Sequence, residues 1–163
     1  MPHSARRPLT ADELSALSPG MTAALESAAA RPQIVARPAI GARIASLWRG
    51  SVPILAWFDR IFWPGALEDM SLDPHRMATL QHELQHVLEY RTGALTPLAY
   101  ALRPRNWRYH YDIAPDAVWS DYGAEQRAEI VEDLWLIEKG LKVGSLAWYR
   151  ELIPWAQARV EAG

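Results

Sequence analysis

Residues 73–93 read DPHRMATLQHELQHVLEYRTG, and this stretch decides how the rest of the chain is read. Asp73 followed by Pro74 is a helix start, with an oxygen-bearing side chain at the cap and a proline whose missing N–H costs nothing in the first turn. Gly93 is the matching stop, because a glycine takes the left-handed conformation that ends a helix. Between them, Met77, Leu80, Leu84 and Leu88 recur at helical spacing and predict an apolar stripe. His82 and His86 project roughly 150° or more from the middle of that stripe. Positions four apart lie one above the other on a helix, so both imidazoles can reach one ion from a single face. Glu83 sits about 100° round from His82, beside the metal face without being spaced to complete it. The pentad His82-Glu83-Leu84-Gln85-His86 therefore points to zinc chemistry, with Glu83 as general base. Zinc lowers the pKa of the water it holds toward about 7, and a nearby carboxylate can take the remaining proton as that water attacks a carbonyl.

Two histidines do not complete a catalytic zinc site, which normally has three protein ligands and one open position. A continuation with glycine and then histidine after the second ligand would supply the third, but those positions hold Glu89 and Thr92. His110, Asp112, Asp121, Glu125 and Glu129 remain as candidates. Glu125 is preferred, because it lies in the next strong helical run, predicted to be capped by Ser120 or Asp121 and stopped by Gly140. Glu125 and Glu129 are four apart and share a face with Glu132, whereas Ile130, Leu134 and Ile137 line the other side. Three glutamates in one stripe repel unless a cation is near. The first could bind the metal, and Glu129 could accept the N–H of a ligand histidine.

The surroundings are those of a globular α+β chain, mostly helical with a small antiparallel sheet and the HExxH helix at its centre. The 163 residues suit a single domain, half of them are hydrophobic and 22% charged. A net charge of -2, with no run of Lys or Arg beyond two, argues against a nucleic-acid partner. No cysteine is present, which excludes disulfides and thiolate ligands. The longest apolar run, Val52 to Phe58, is far too short to span a membrane. Residues 1–10 read as a flexible leader without the apolar core of a secretory signal, so synthesis in the cytoplasm is expected. The folded domain is expected over 11–163. Thr10 and Glu13 have capping-box spacing, and Ser18-Pro19 opens a second helix. Gln33-Ile34-Val35 suits a short strand, and Ile40 to Trp48 suits either helix or strand. Val52 to Trp63 reads as strand, with a turn at Asp59-Arg60 making it a hairpin. A last helix over 145–160 is bent or divided by Pro154.

HExxH paired with Glu125-Gln126-Arg127-Ala128-Glu129 resembles the gluzincin-like metallopeptidases. More closely, the chain resembles small bacterial proteins described as Vgr-related and the metallopeptidase core domain associated with extracellular contractile injection systems. The similarity covers residues 52 to 139. It includes Phe62-Trp63-Pro64, the zinc helix, the Tyr109-x-Tyr111 segment and the Tyr122-Gly123-Ala124-Glu125 helix start. The resemblance implies a zincin-like fold, Zn2+ on His82, His86 and Glu125, support from Glu129, and hydrolysis of a peptide or amide bond. It also implies that the strand before the zinc helix pairs with an extended substrate. Tyr109, His110, Tyr111 and Tyr122 are candidates to steady the oxyanion, with Tyr111 and Tyr122 preferred. An amidase, and a non-catalytic zinc-binding adaptor partnered with a secretion or injection system and exported by it, are the competing expectations.

Overall fold

The structure, a computed structural model, describes residues 6–39 and 53–157. The reading of Ile40 to Trp48 lies outside these residues, as do positions 1–5 and 158–163. The described residues form a mixed α+β fold of seven α-helices and one four-stranded sheet. Strands β1 (Arg6–Pro8), β2 (Gln33–Val35), β3 (Leu55–Trp57) and β4 (Arg60–Phe62) lie in the order β1-β2-β4-β3.

The sheet is mixed, which corrects the antiparallel expectation. β2 runs parallel to β4, with Ile34 opposite Ile61, and the other two pairings are antiparallel. Strand signals in sequence report alternation and turns but carry no direction of pairing. Ile34, Ile61 and Ala56 form one buried row across three strands, and that row fixes the register. The hairpin turn is Phe58-Asp59, one residue earlier than Asp59-Arg60.

The leader expectation also fails from Arg6 onward, because Arg6–Pro8 is an edge strand. Its anchor is Glu13, fully buried in helix α1 (Ala11–Ala16). Glu13 accepts from the Arg7 guanidinium at 2.7 and 2.8 Å, from the Thr10 N–H at 2.9 Å and from the Met70 N–H at 3.0 Å. Four donors compensate the burial of that carboxylate, and the expected capping box is part of the set.

Helix α2 (Pro19–Ser27) buries Met21 and Leu25 and packs beside the long helix α3 (Pro74–Thr92). The ends of α3 follow the sequence: the Asp73 side chain accepts from the His75 and Arg76 N–H groups, and Gly93 has φ 74°. Helix α3 is buried on more than its apolar stripe, with Gln81, His82, Glu83, Gln85, His86 and Glu89 also inside. It lies between β3 on one side and α5 (Ala124–Glu138) on the other. Between α3 and α5 run α4 (Pro97–Leu102) and two short 3-10 turns, Pro104–Trp107 and Trp119–Asp121. Ser120 and Asp121 belong to that second turn, so the α5 cap is Gly123 instead. A side chain there would put its Cβ 2.1 Å from the Arg105 carbonyl oxygen. Glycine is thus required by the close passage of the preceding loop. Helices α6 (Leu146–Leu152) and α7 (Pro154–Gln157) follow, divided at Pro154 as expected. None of the described helices is long and apolar enough to cross a membrane.

Candidate metal centre

Helix α3 presents His82 and His86 from successive turns, with ring centroids 5.1 Å apart. Helix α5 brings Glu125 against both. Its Oε2 lies 3.0 Å from His82 Nε2 and 3.3 Å from His86 Nε2. All three side chains are buried, and one ligand atom from each lies within 4.8 Å of the others. This cluster could hold a metal ion. The carboxylate hydrogen-bonds both imidazoles. Burial alone would lower the His82 pKa, but the hydrogen bonds to Glu125 and Glu132 and the charges of Glu83 and Glu125 outweigh it and push it up to about 10. Burial would likewise raise Glu125, yet the His82, His86 and Tyr100 hydrogen bonds hold it well below the usual carboxylate range.

Two partners lock this arrangement. The Tyr100 hydroxyl, on α4, donates to Glu125 Oε1 at 2.5 Å, leaving Oε2 toward the histidines. On the far side of His82, Nδ1 lies 3.3 Å from Glu132 Oε2 and 3.6 Å from Glu129 Oε1. Glu132 is therefore the nearer support, and Glu129 stands just beyond hydrogen-bond reach. An imidazole held by carboxylate at one nitrogen presents the other to a metal.

Glu83 projects beside the cluster toward β3. Burial pushes its carboxyl pKa up, with the charges of His86 and His82 and the backbone N–H of Ala56 opposing. Its Oε2 is buried and has no hydrogen-bond partner among the described residues. His86 Nδ1 is in the same state.

No family model, no curated protein and no solved structure matches this chain.

The structure brings together His82, Glu83, His86, Glu125 and, less closely, Glu129. It does not bring in Tyr111 or Tyr122. The Tyr111 hydroxyl donates to Asp133 and shares a 2.7 Å hydrogen bond with Tyr149, while its ring stacks on Trp148. The Tyr122 hydroxyl donates to the Asp112 carbonyl at 2.9 Å. Both hydroxyls are engaged away from the cluster, so their catalytic assignment is corrected. His110 and Asp112 face each other at 3.6 Å with side chains more than nine-tenths exposed, away from any buried donor set. Asp121 accepts from the Val118 N–H in its short turn. Tyr100 and Tyr109 lie at the cluster, and Tyr90 is near enough that burial, with the charges of Glu125, Glu89 and Glu83, pushes its hydroxyl up to about 12. The Tyr109 ring stacks on His82, with centroids 6.1 Å apart, and is half exposed. Tyr109 was among the sequence candidates. Tyr100 carries no sequence signal, because a hydroxyl on a six-residue helix acquires its role only through the Pro104–Trp107 turn, where Asn106 bonds both Ala99 in α4 and Ala124 in α5. Glu132 was legible in the acidic stripe, and only its rank against Glu129 needed the fold.

Proposed function

We propose that this chain is a zinc-dependent hydrolase of peptide or amide bonds with a zincin-like arrangement of its site. The observation that carries the reading is the buried Glu83 carboxylate, with one oxygen unpartnered among the described residues, beside a cluster of two imidazole nitrogens and one carboxylate oxygen. Two nitrogens and an oxygen form a donor set typical of catalytic zinc. Tetrahedral ligands at about 2.0–2.1 Å from zinc stand roughly 3.3 Å from one another. The 3.0 and 3.3 Å separations of Glu125 from the two histidines need little adjustment. Three protein ligands leave a fourth position, whereas a structural zinc site is normally closed by four.

Bound zinc would polarise the substrate carbonyl and acidify water. Glu83 then acts as base: it takes a proton from the attacking water and hands it to the leaving nitrogen as the C–N bond breaks. Its raised pKa makes it a stronger base for that transfer. Glu132 holds His82 in place, and Tyr100 holds Glu125. Tyr109, half exposed with its ring over His82, is the tyrosine assigned to the oxyanion in this reading. Strand β3 has a neighbour on one side only among the described strands, which suits an extended substrate lying along it.

The test is metal content together with Glu83→Gln. Protein supplied with zinc should hold about one ion per chain. The variant should keep the ion and lose about 100- to 10,000-fold in turnover of a mixed peptide library. Failure to hold zinc removes the proposal altogether. Retained zinc with unchanged turnover favours the non-catalytic adaptor, and turnover confined to small amides favours the amidase.

A further inference from the structure

Where β3 ends beside α3, three aromatic rings meet. Phe58 and Tyr90 have centroids 5.3 Å apart, Trp57 and Phe58 5.9 Å, and Trp57 and Tyr90 6.3 Å. Trp57 and Phe58 are 46% and 47% exposed, so the group presents ring surface to solvent. The backbone of Phe58 has φ 51°, a left-handed conformation that disfavours a bulky residue and that glycine would adopt without strain. The turn is held in that shape from both sides. The Arg91 guanidinium pairs with the Asp59 carboxylate, with Nε to Oδ1 at 2.6 Å, and the Gln33 N–H donates to the Asp59 carbonyl at 2.7 Å. Strain enforced by neighbours so that a half-exposed ring projects from a turn marks a functional position more than a packing one.

The group adjoins the metal centre. Tyr90 is four residues past His86, hence one turn further along the row of His82 and His86 and about 6 Å along the axis. The residue before Trp57 is Ala56, whose N–H faces Glu83. An extended chain advances about 3.3 Å per residue. The rings therefore stand about two substrate residues from the reacting carbon, on the His86 side.

Resting on the hydrolase reading, we propose that Trp57, Phe58 and Tyr90 form a subsite that selects an aromatic side chain of a peptide substrate. The tilted and edge-on packing of these rings leaves faces on which a further ring can stack.

The probes are four-residue alanine peptides with a hydroxamate at either end, each carrying one phenylalanine in turn. Their affinity for the zinc-loaded protein is measured by calorimetry. One phenylalanine position on one side of the chelating group should bind about 10- to 100-fold more tightly than the all-alanine parent. Phe58→Gly removes a ring while suiting the turn, and it should reduce that ratio to within about threefold. Trp57→Ala should reduce it independently. Equal affinity at every position, or a preference that survives both substitutions together, overturns the subsite. Failure of the all-alanine hydroxamates to bind the loaded protein removes the hydrolase reading, and the subsite with it.

Discussion

Replacing Arg127 with methionine should destabilise the protein severely, and replacing Glu89 as well should restore most of the loss. These two residues form a buried ion pair between α3 and α5. Arg127 Nε donates to Glu89 Oε1 at 2.7 Å and Nη2 to Oε2 at 2.9 Å, with both residues less than a tenth exposed. The pair is extended on both sides. Arg127 Nη1 donates to the Tyr122 carbonyl at 2.6 Å, and the Gln85 amide donates to Glu89 Oε1 at 2.8 Å. Gln85 in turn accepts from the Trp155 indole at 3.1 Å. In R127M the Glu89 carboxylate keeps Gln85 as its side-chain donor but loses its counter-charge, which costs about 3–5 kcal/mol. In E89M/R127M no charge is buried. What remains is one unpaired Gln85 N–H and one unpaired Tyr122 carbonyl, at about 1 kcal/mol each, offset in part by burial of two methionines. The double variant should lie within about 2 kcal/mol of the parent, so most of the R127M loss is recovered. Urea unfolding in the presence of a chelator measures this, since bound metal would add its own stabilisation. A double variant as unstable as R127M, or an R127M loss under about 1 kcal/mol, refutes the reasoning.

Further consequences concern the metal centre. Glu125→Ala should nearly abolish zinc retention, whereas Glu132→Ala should weaken it about 10- to 100-fold and Glu129→Ala less; equilibrium dialysis orders the three, and a larger effect at Glu129 would reverse the assignment of His82's support. Because the metal-free His82 pKa is about 10, zinc binding at pH 7.5 should expel about one proton, and affinity should rise as pH rises toward 10. Calorimetry in buffers of different ionisation enthalpy counts the proton, and a count of zero would show that His82 is neutral before the metal arrives. The same shift sets the stability of the metal-free protein. A raised pKa contributes fully below the unfolded value of about 6.5 and fades through about 10, whereas the depressed Glu125 contributes above about 4.5 and fades as the pH falls below it. Chelator-treated protein should therefore lose this increment as pH rises from 7 to 10, and zinc-loaded protein should not. Thermal unfolding at both ends of that range checks it.

The sequence alone determined whatever obeys local rules. The limits of α3, the capping box at Thr10, the strand at Gln33–Val35, the break at Pro154 and the placing of His82, Glu83 and His86 on neighbouring faces of α3 all follow from spacing within a few residues and the geometry of one turn. Glu125 was legible as one acid among several. Its selection needed α5 placed along α3 so that the turn carrying Glu125, rather than the next turn with Glu129, meets both Nε2 atoms, and that placement is set by packing between helices and by the buried Glu89–Arg127 pair. The parallel run of β2 with β4, the loss of Tyr111 to Asp133 and Tyr149, the arrival of Tyr100 at Glu125 and the meeting of Ala56 with Glu83 were decided by tertiary structure only. Each joins residues at least 20 positions apart, where helical and strand periodicity carries no information about which side chains come to share a buried site.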